Sequence, residues 1–385
     1  MNRAFAIILA TVLLDVIGLG IVIPILPFIV KGFGFSEFYV GLTYSIFSLG
    51  MFVGGLTFGR LSDKLGRNKT LEFTIFLNIV GYLLFAFSTN LYVFLIARFI
   101  GGLGASGFAI GQAYISDISS NEERTKNMAM VGAMFGIGFM IGPVLGGFFS
   151  NFSDNLNLLG YISATVAFLN LLSVMFFLPK VKQKTVGILQ EKKFTINNPL
   201  ILVLLAVSFI TALGFSAMQS TFALVMSDRF SLDSKQVGYL LGYVGLVAII
   251  YQAKLIKYVR NALGEVKMII FGLSFLILGF LLFSINTYYI AIYFIIFMFP
   301  IGNGTITPTI ASMQSKLGNN HVGKLLGINS SMISLGNIVG PFIAGALYIK
   351  WSGLPYVFSS ILFIIALVLI IFKMKEYSNV GKTHF

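Results

Sequence analysis

Residues 138–147 read GFMIGPVLGG, and residues 336–345 read GNIVGPFIAG. The two blocks start 198 residues apart, about half of the 385-residue chain. Three further identities fall at the same offset: Lys126 with Lys324, Met134 with Met332, and Gly104 with Gly302. Glycine and proline therefore recur at fixed spacing within two apolar segments. This pattern predicts a duplicated unit with the same closely packed helix in each half.

Composition places the duplicated unit in a membrane. Hydrophobic residues make up 57% of the chain and charged residues 10%, whereas soluble domains carry about 25% charged residues. The apolar runs are continuous and long enough for membrane helices of about 20 residues, and they lack the alternation of a transmembrane β-strand. We predict an all-α membrane protein with twelve transmembrane helices in two pseudo-symmetric six-helix bundles and both termini in the cytoplasm.

The predicted spans and domains follow from these runs. The spans are 4–30, 38–60, 70–88, 91–113, 126–150, 157–178, 199–226, 236–256, 267–285, 288–312, 323–349 and 354–374. The predicted domains are an N-terminal bundle (1–178), a cytoplasmic linker (179–198), a C-terminal bundle (199–374) and a cytoplasmic tail (375–385).

The basic residues support this topology. Of the 26 Lys and Arg residues, 21 fall on the face that holds both termini. The opposite loops hold Lys31, Arg229, Lys235 and Lys350, and Arg98 lies inside a span. Positive residues concentrate on the cytoplasmic side of membrane proteins. We therefore read the net charge of +13 as a topology signal and expect no nucleic-acid binding.

Two charged residues lie inside predicted spans. Asp15 lies about twelve residues into the first span, and an intramembrane carboxylate should face a wet cavity or bind a proton. We predict that Asp15 handles the coupling proton or meets a cationic substrate; the alternative is a side chain that snorkels to the inner interface. Arg98 is a strong cation that also lies deep in a span. The alternative to a functional role for Arg98 is a structural contact with backbone carbonyls.

The stretch Gly59-Arg60-Leu61-Ser62-Asp63-Lys64-Leu65-Gly66-Arg67-Asn68-Lys69 resembles the signature loop of the major facilitator superfamily. The block at 138–147 resembles the motif that marks its proton-coupled antiporters. With Asp15 and Arg98, these motifs make the chain similar to the twelve-helix drug:proton antiporters, most closely to tetracycline resistance exporters. The runs 114–118 and 228–230 strengthen that closer match.

The resemblance implies roles for the motif residues. Asp15 and Arg98 would couple transport to protons. A conformational latch would comprise Gly59, Asp63, Lys64, Gly66, Arg67 and Asp117, with Asp63 capping a helix near Gly323. The antiporter motif comprises Gly138, Gly142, Pro143, Gly146 and Gly147, and we expect both copies to pack between the halves. The second copy, Gly336, Gly340, Pro341 and Gly345, would be a hinge. Asn68 departs from the family pattern, which favours a second basic residue there.

Polar and aromatic residues inside the spans form the predicted substrate cavity. They are Asn78, Gln112, Phe215, Gln219, Asn303, Thr307, Ser330, Ser334 and Asn337. For any one of them, hydrogen bonding between helices is the alternative. Tetracycline exporters usually carry acids where this chain has Gly81 and Leu276, and a histidine where it has Ala248. Transport of metal-chelated tetracycline therefore does not follow from the resemblance, and a broader multidrug range is the alternative.

We predict proton-coupled efflux of a lipophilic drug by alternating access. Nutrient uptake and a transporter-fold membrane sensor are the alternatives. No catalytic residues, metal site or cofactor are predicted, since no nucleophile–base pair or nucleotide loop can be assembled and the proton gradient would supply the energy. The expected partners are protons, a small lipophilic substrate and the lipid bilayer. The expected state is a monomer, and the expected location is the bacterial plasma (inner) membrane.

Overall fold

The computed structural model describes residues 3–150, 157–179, 198–318 and 322–380. All regular structure in these residues is helical, which confirms the predicted all-α class. The elements are α1 Arg3–Val22, a 3₁₀ turn Ile23–Ile25, α2 Leu26–Gly32, α3 Phe38–Leu65, α4 Arg67–Ala86, α5 Leu91–Ala105, α6 Gly107–Ile118, α7 Asn121–Ser150, α8 Asn157–Phe177, α9 Pro199–Phe230, α10 Ser234–Ile250, a π-helical turn Tyr251–Leu255, α11 Ile256–Ile285, α12 Tyr289–Leu317, α13 Val322–Tyr348 and α14 Leu354–Val380.

Every predicted span coincides with helix, but three spans are interrupted, and the π-helical turn Tyr251–Leu255 is the interruption in the span 236–256. The first span changes to 3₁₀ geometry between α1 and α2 next to Pro24 and Pro27, because proline lacks the N–H that an α-helix needs. The span at 91–113 breaks at Ser106, between α5 and α6. The Ser106 hydroxyl donates to the Leu103 carbonyl at 2.7 Å, a local bond that bends helices.

The predicted loop between 256 and 267 is helical instead. Helix α10, the π-helical turn and α11 follow one another without a gap, and only Gly264 departs from helical geometry, with φ 70° and ψ 172°. Eleven segments of the described residues are long and apolar enough to cross a membrane, with the 52-residue stretch Ser234–Ile285 counted as one.

The chain divides into two compact units. The first comprises the described residues within Met1–Gly187 and Ala223–Leu246, and the second those within Ile188–Phe222 and Val247–Phe385. The predicted linker lies outside the described residues except for its first and last positions, as do the last five residues of the predicted tail.

The two units have different interiors. In the first, α1 packs on α7 and α8, and α4 packs on α5 and α8. In the second, α11 packs on α12 and α14 around an aromatic cluster. Its members are Phe280, Phe283, Phe299, Tyr356 and Phe363, with neighbouring ring centres 4.6–5.8 Å apart.

Candidate functional site

Asp15 lies on α1, partly buried in the first unit. The side-chain amide of Asn170, on α8, donates to one carboxylate oxygen of Asp15 at 3.1 Å. Asn170 is itself 1% exposed, and its own Oδ1 has no hydrogen-bond partner among the described residues. Among the described residues, the hydrogen-bond partner of the Asp15 carboxylate is therefore a buried amide, and no basic side chain forms an ion pair with it.

Arg98 lies on α5 and is 7% exposed. Its guanidinium is 4.3 Å from the centre of the Phe47 ring on α3, a cation–π contact. Its Nε has no hydrogen-bond partner among the residues that the structure describes. Arg98 is thus a buried cation with unsatisfied donor capacity, which is an expensive arrangement that membrane proteins reserve for function.

Two tyrosines lie near these charged groups, and one of them, Tyr82, interacts with both. Tyr82, on α4, interacts electrostatically with both Asp15 and Arg98, and Tyr44, on α3, interacts with Arg98. Tyr82 also packs against Gly18, where an added Cβ would lie 2.8 Å from the tyrosine hydroxyl. Sequence reasoning missed both tyrosines because the chain contains 16, and no spacing marks these two.

The predicted ion pair between Arg67 and Asp117 is present, and it joins the first residue of α4 to the end of α6. Arg67 lies 2.9 Å from Asp117 and 2.6 Å from Asp63, and it donates to the Ser62 hydroxyl at 2.5 Å. Gly66, directly before Arg67, has φ 100°, a conformation that side-chain-bearing residues rarely adopt. The glycine therefore makes the turn that directs Arg67 at the C-terminal end of α6.

Other residues of the stretch 59–69 are less buried than Arg67 or make other contacts. Lys64 and Asp63 are exposed, and an added Cβ at Gly59 would meet nothing within 4 Å. Asn68, where the family favours a basic residue, is 9% exposed and donates to the Leu178 and Pro179 carbonyls at 3.3 and 3.1 Å. Asn68 therefore links α4 to the end of α8 through hydrogen bonds and contributes no charge.

The second half contains a charge-reversed copy of this arrangement. Gly264 stands 198 residues after Gly66 and also has positive φ. The next residue, Glu265, pairs with Lys316 of α12 at 2.9 Å and accepts from the Ser312 hydroxyl at 2.7 Å. Sequence reasoning missed this copy because only Leu65, Gly66 and Lys69 of the stretch 59–69 have identical counterparts, and the charge that forms the ion pair is exchanged.

The antiporter motif packs α7 closely against α1. An added Cβ at Gly142 would lie 2.8 Å from the Gly20 Cα and from the Ile17 carbonyl oxygen. Gly138 meets Val16 in the same way, and Gly146 meets the Ile21 backbone. Positions four residues apart share one helix face, so these glycines form a continuous contact.

Gly147 lies on the opposite side of the same helix and packs against α10. An added Cβ there would lie 2.7 Å from the Ser234 carbonyl oxygen. The hydroxyls of Ser150 and Ser234 are 2.6 Å apart. On the next turns of α10, Gly242 and Gly245 face Val144 and Met140 of α7.

The second copy packs α13 against α9 in the second unit. An added Cβ at Gly336 would lie 2.8 Å from the Phe209 carbonyl oxygen and the Leu213 nitrogen. Gly340 meets the Leu213 carbonyl and the Ser216 hydroxyl, and both Pro341 and Gly345 are buried. Packing between the halves, which we expected for both copies, is thus present at Gly147 of the first copy, whereas the nearest neighbours of Gly138, Gly142, Gly146, Gly336 and Gly340 lie within their own half.

The predicted cavity residues are distributed over both units. Asn78 is 4% exposed and fills the space beside Gly104, while Gln112 is partly buried in α6. The remaining seven lie in the second unit. Five of them are partly buried and two are exposed: Phe215, Gln219, Asn303, Ser334 and Asn337, then Thr307 and Ser330. Ser330 bonds its own helix, donating to the Leu326 carbonyl at 3.0 Å.

The repeat shows which features belong to one half alone. Equivalent contacts recur: Ser163 donates to the Gly18 carbonyl at 3.5 Å, and Ser359 donates to the Gly214 carbonyl at 3.4 Å, each pair 145 residues apart. The charged and phenolic groups, however, are replaced. In α1 and α9 the equivalent contacts are 196 residues apart, so the counterpart of Asp15 is Thr211. The counterparts of Tyr82 and Arg98 at the 198-residue offset are Phe280 and Ile296, and all three counterparts are buried.

Sequence comparisons agree with this architecture. A family model described as Major Facilitator Superfamily matches residues 8–319 and 204–383. Multidrug resistance protein 2 of Bacillus subtilis (strain 168) is 26% identical over 97% of this chain and 96% of its own length. Quinolone resistance protein NorA of Staphylococcus aureus (strain MSSA476) is 27% identical over 90% of each chain. The class H tetracycline resistance protein of Pasteurella multocida is 27% identical over 98% of each chain.

Solved structures share the fold. The crystal structure of the human organic anion transporter MFSD10 (TETRAN) superposes with a TM-score of 0.72 at 20% identity, covering 96% of this chain and 99% of that one. The nucleoside transporter NupG superposes with a TM-score of 0.79 at 11% identity and the same coverage. The family model matches both halves and its motifs occupy the sites described above, so the chain belongs to the Major Facilitator Superfamily.

Proposed function

We propose that this chain exports lipophilic, drug-like compounds, either tetracycline-like or of several classes, in exchange for protons. It is a transporter rather than an enzyme, and a multi-pass protein of the bacterial plasma membrane. Relatives named for multidrug, quinolone and tetracycline resistance, each matching at least nine-tenths of the chain, support efflux of drugs. Alternating access of the two halves would carry the compound across.

The proposed topology has twelve spans and both termini in the cytoplasm. A straight 52-residue helix would be about 78 Å long, whereas the hydrocarbon core is about 30 Å thick. We therefore assign Ser234–Ile285 as two spans that turn at Gly264, the position equivalent to the turn at Gly66. The basic residues around Gly264 support a cytoplasmic position for that turn.

The observation that carries proton coupling is the Asp15 carboxylate, held by Asn170 inside the first unit with Tyr82 near both it and Arg98. A carboxylate there can take up and release one proton, and Arg98 would act on it through Tyr82. One proton moving through 100 mV supplies about 2.3 kcal/mol, so export needs no further cofactor.

The remaining motif residues would control the conformational change. We propose that Gly59, Asp63, Lys64, Gly66, Arg67 and Asp117 form a latch, with Asp63 capping the helix that begins near Gly323 in one state. The close glycine contacts of α7 and α13 would keep these helices rigid, with the Pro341 region as a hinge. The cavity residues named from the sequence would line the substrate path, and the protein would work as a monomer.

A growth and efflux panel tests this function. The chain is expressed in a drug-sensitive bacterium that is challenged with tetracyclines, quinolones, phenicols and cationic dyes. We expect protection against at least one class, lost on dissipating the proton gradient and in Asp15→Asn at normal abundance. Asp228→Asn, which changes an exposed carboxylate, is the matched control. Unchanged proton-driven export by Asp15→Asn would remove the coupling role, and no protection by the wild type would overturn drug efflux.

A further inference from the structure

A π-helical turn, Tyr251–Leu255, interrupts the helix between α10 and α11. Such turns are rare and frequently occur at functional sites. The Tyr251 side chain is 3% exposed, and its hydroxyl lies 2.6 Å from the Thr305 hydroxyl of α12. Since Thr305 donates to the Ile301 carbonyl at 2.6 Å, Tyr251 is the donor in this pair. The hydrogen bond fixes the π-helical turn against the middle of α12.

The next residue, Gln252, places its amide beside Gly304 of α12. An added Cβ at Gly304 would lie 3.3 Å from the Gln252 Nε2, so the missing side chain leaves room for the amide. Pro308 lies four residues after Gly304 inside the same helix. Because proline has no N–H, the Gly304 carbonyl loses its helical donor. The Gln252 amide therefore lies beside Gly304, the residue whose carbonyl lacks the N–H donor of an uninterrupted helix.

The Gln252 side chain is exposed in the second unit. No hydrogen bond joins its amide to any other residue in the described part of the chain. An amide has two donors and one acceptor, so its full hydrogen-bonding capacity is open to a ligand.

The first half shows that this position does not need a glutamine for packing. Gly54 and Ser106 are the counterparts of Gln252 and Gly304 at the 198-residue offset. An added Cβ at Gly54 would lie 2.7 Å from the Ser106 hydroxyl and 2.9 Å from the Leu103 carbonyl oxygen. There the helices close directly on each other and Ser106 bonds its own helix. The amide is thus a feature of the second half only.

We propose that Gln252, with the Gly304 carbonyl, is a hydrogen-bonding subsite for the transported compound. This proposal rests on the proposed export of lipophilic compounds and specifies what they present to the protein. Glu265 is the nearest acid along the chain and is paired with Lys316. The nearest charge along the chain is Lys254, which disfavours a cation. The subsite therefore fits an uncharged hydroxyl, amide or ketone on an otherwise apolar molecule.

Efflux by Gln252 variants tests the subsite. Gln252→Leu and Gln252→Glu are compared with the wild type in efflux-deficient cells, using chloramphenicol and related uncharged polar drugs and tetraphenylphosphonium, a cation without donors. We expect Gln252→Leu to lower export of the uncharged polar compounds about tenfold, because one well-placed hydrogen bond is lost. Export of the cation, which makes no such bond, should fall less than about twofold. Gln252→Glu should raise export of the cation relative to the uncharged compounds.

Abundance and Tm of each purified variant separate recognition from folding. Equal losses of export for all compounds would show that Gln252 acts through the structure of the π-helical turn. Unchanged export of every compound would show that transport does not use the amide. Either result overturns the subsite. If the wild type exports only cations, the subsite is overturned while drug efflux stands. If the wild type exports none of the compounds, the proposed function itself fails, and binding of chloramphenicol to purified wild type and Gln252→Leu then decides the subsite.

Discussion

Arg98 is a buried guanidinium surrounded by aromatic rings, without a carboxylate partner in the described residues. Phe47 contributes its ring face at 4.3 Å, and Tyr44 and Tyr82 contribute phenol groups. A purely structural arginine would be expected to direct its donors at backbone carbonyls, yet its Nε meets no described acceptor. Tyr82 interacts electrostatically with Arg98 and with Asp15, so under the proposed function a change in the charge of Asp15 would reach Arg98 through Tyr82.

Replacement of Arg98 by glutamine should uncouple transport from protons. We expect Arg98→Gln to reduce pH-gradient-driven uptake into inside-out vesicles about tenfold or more, because the fixed positive charge that favours proton release is lost. Counterflow of substrate without a gradient should continue. Arg98→Lys, which keeps the charge without the planar donors, should give an intermediate value.

Lys350→Gln, at an exposed position, provides the control for Arg98 and should behave as the wild type. A gradient response of Arg98→Gln equal to that of the wild type, at equal protein abundance, would assign Arg98 a structural role. Loss of counterflow together with the gradient response would also count against a specific coupling role.

At the scale of single helices, the antiporter motif makes a quantitative prediction about stability. Gly142→Ala places a methyl group 2.8 Å from the Gly20 Cα and the Ile17 carbonyl. Backbone atoms cannot move aside, so we expect a loss of about 1–3 kcal/mol and a Tm lowered by several degrees. The thermal unfolding of detergent-purified protein measures this.

Gly132 offers a control on the same helix. An added Cβ there meets nothing within 4 Å, so Gly132→Ala should leave the Tm unchanged or raise it, because alanine favours helix by about 1 kcal/mol. Gly340→Ala and Gly327→Ala form the equivalent pair on α13. Equal effects of Gly142→Ala and Gly132→Ala would contradict the close contact between α1 and α7.

The charge-reversed pair in the second half predicts a rescue. Glu265→Lys and Lys316→Glu should each reduce transport, since each leaves like charges facing across the α11–α12 contact. The double variant restores opposite charges and should recover most of the activity. Drug efflux at matched abundance measures this, with Lys267→Glu as the control. A double variant no better than the worse single variant would contradict a role for the pair itself.

The sequence predicted helices better than their interruptions. Apolar runs of about 20 residues are specified by many side chains together, so all twelve predicted spans coincide with helix. Single residues specify the breaks at Ser106, Gly264 and the π-helical turn, and their effect depends on neighbours distant in sequence. The candidate site follows the same division: rare charges in apolar runs marked Asp15 and Arg98, whereas Tyr82 and Asn170 resemble many other tyrosines and asparagines of the chain.

On the scale of the whole chain, duplication separates structural from functional features. Contacts present in both halves, such as the Ser163–Gly18 and Ser359–Gly214 hydrogen bonds, maintain the helix packing that the repeat requires. Groups present in one half alone are not required by the shared helix packing and can serve transport. The carboxylate of the first half has the Thr211 hydroxyl as its counterpart in the second, and the phenol and guanidinium have apolar counterparts, whereas Gln252 has a glycine counterpart in the first. Proton handling and compound recognition would thus be divided between the halves.

The proposed topology can be tested directly, because the chain contains no cysteine and every introduced thiol is unique. We expect Asn261→Cys, beside the Gly264 turn, to react with a membrane-impermeant maleimide only from the cytoplasmic side. Thr287→Cys and Asp233→Cys, at the two ends of the 52-residue stretch, should react only from outside. If Ser234–Ile285 crossed the membrane once, positions 233 and 287 would label from opposite sides, because an odd number of crossings reverses the side. Labelling of intact cells compared with inverted vesicles distinguishes these outcomes, and opposite labelling of the two ends would reject twelve spans.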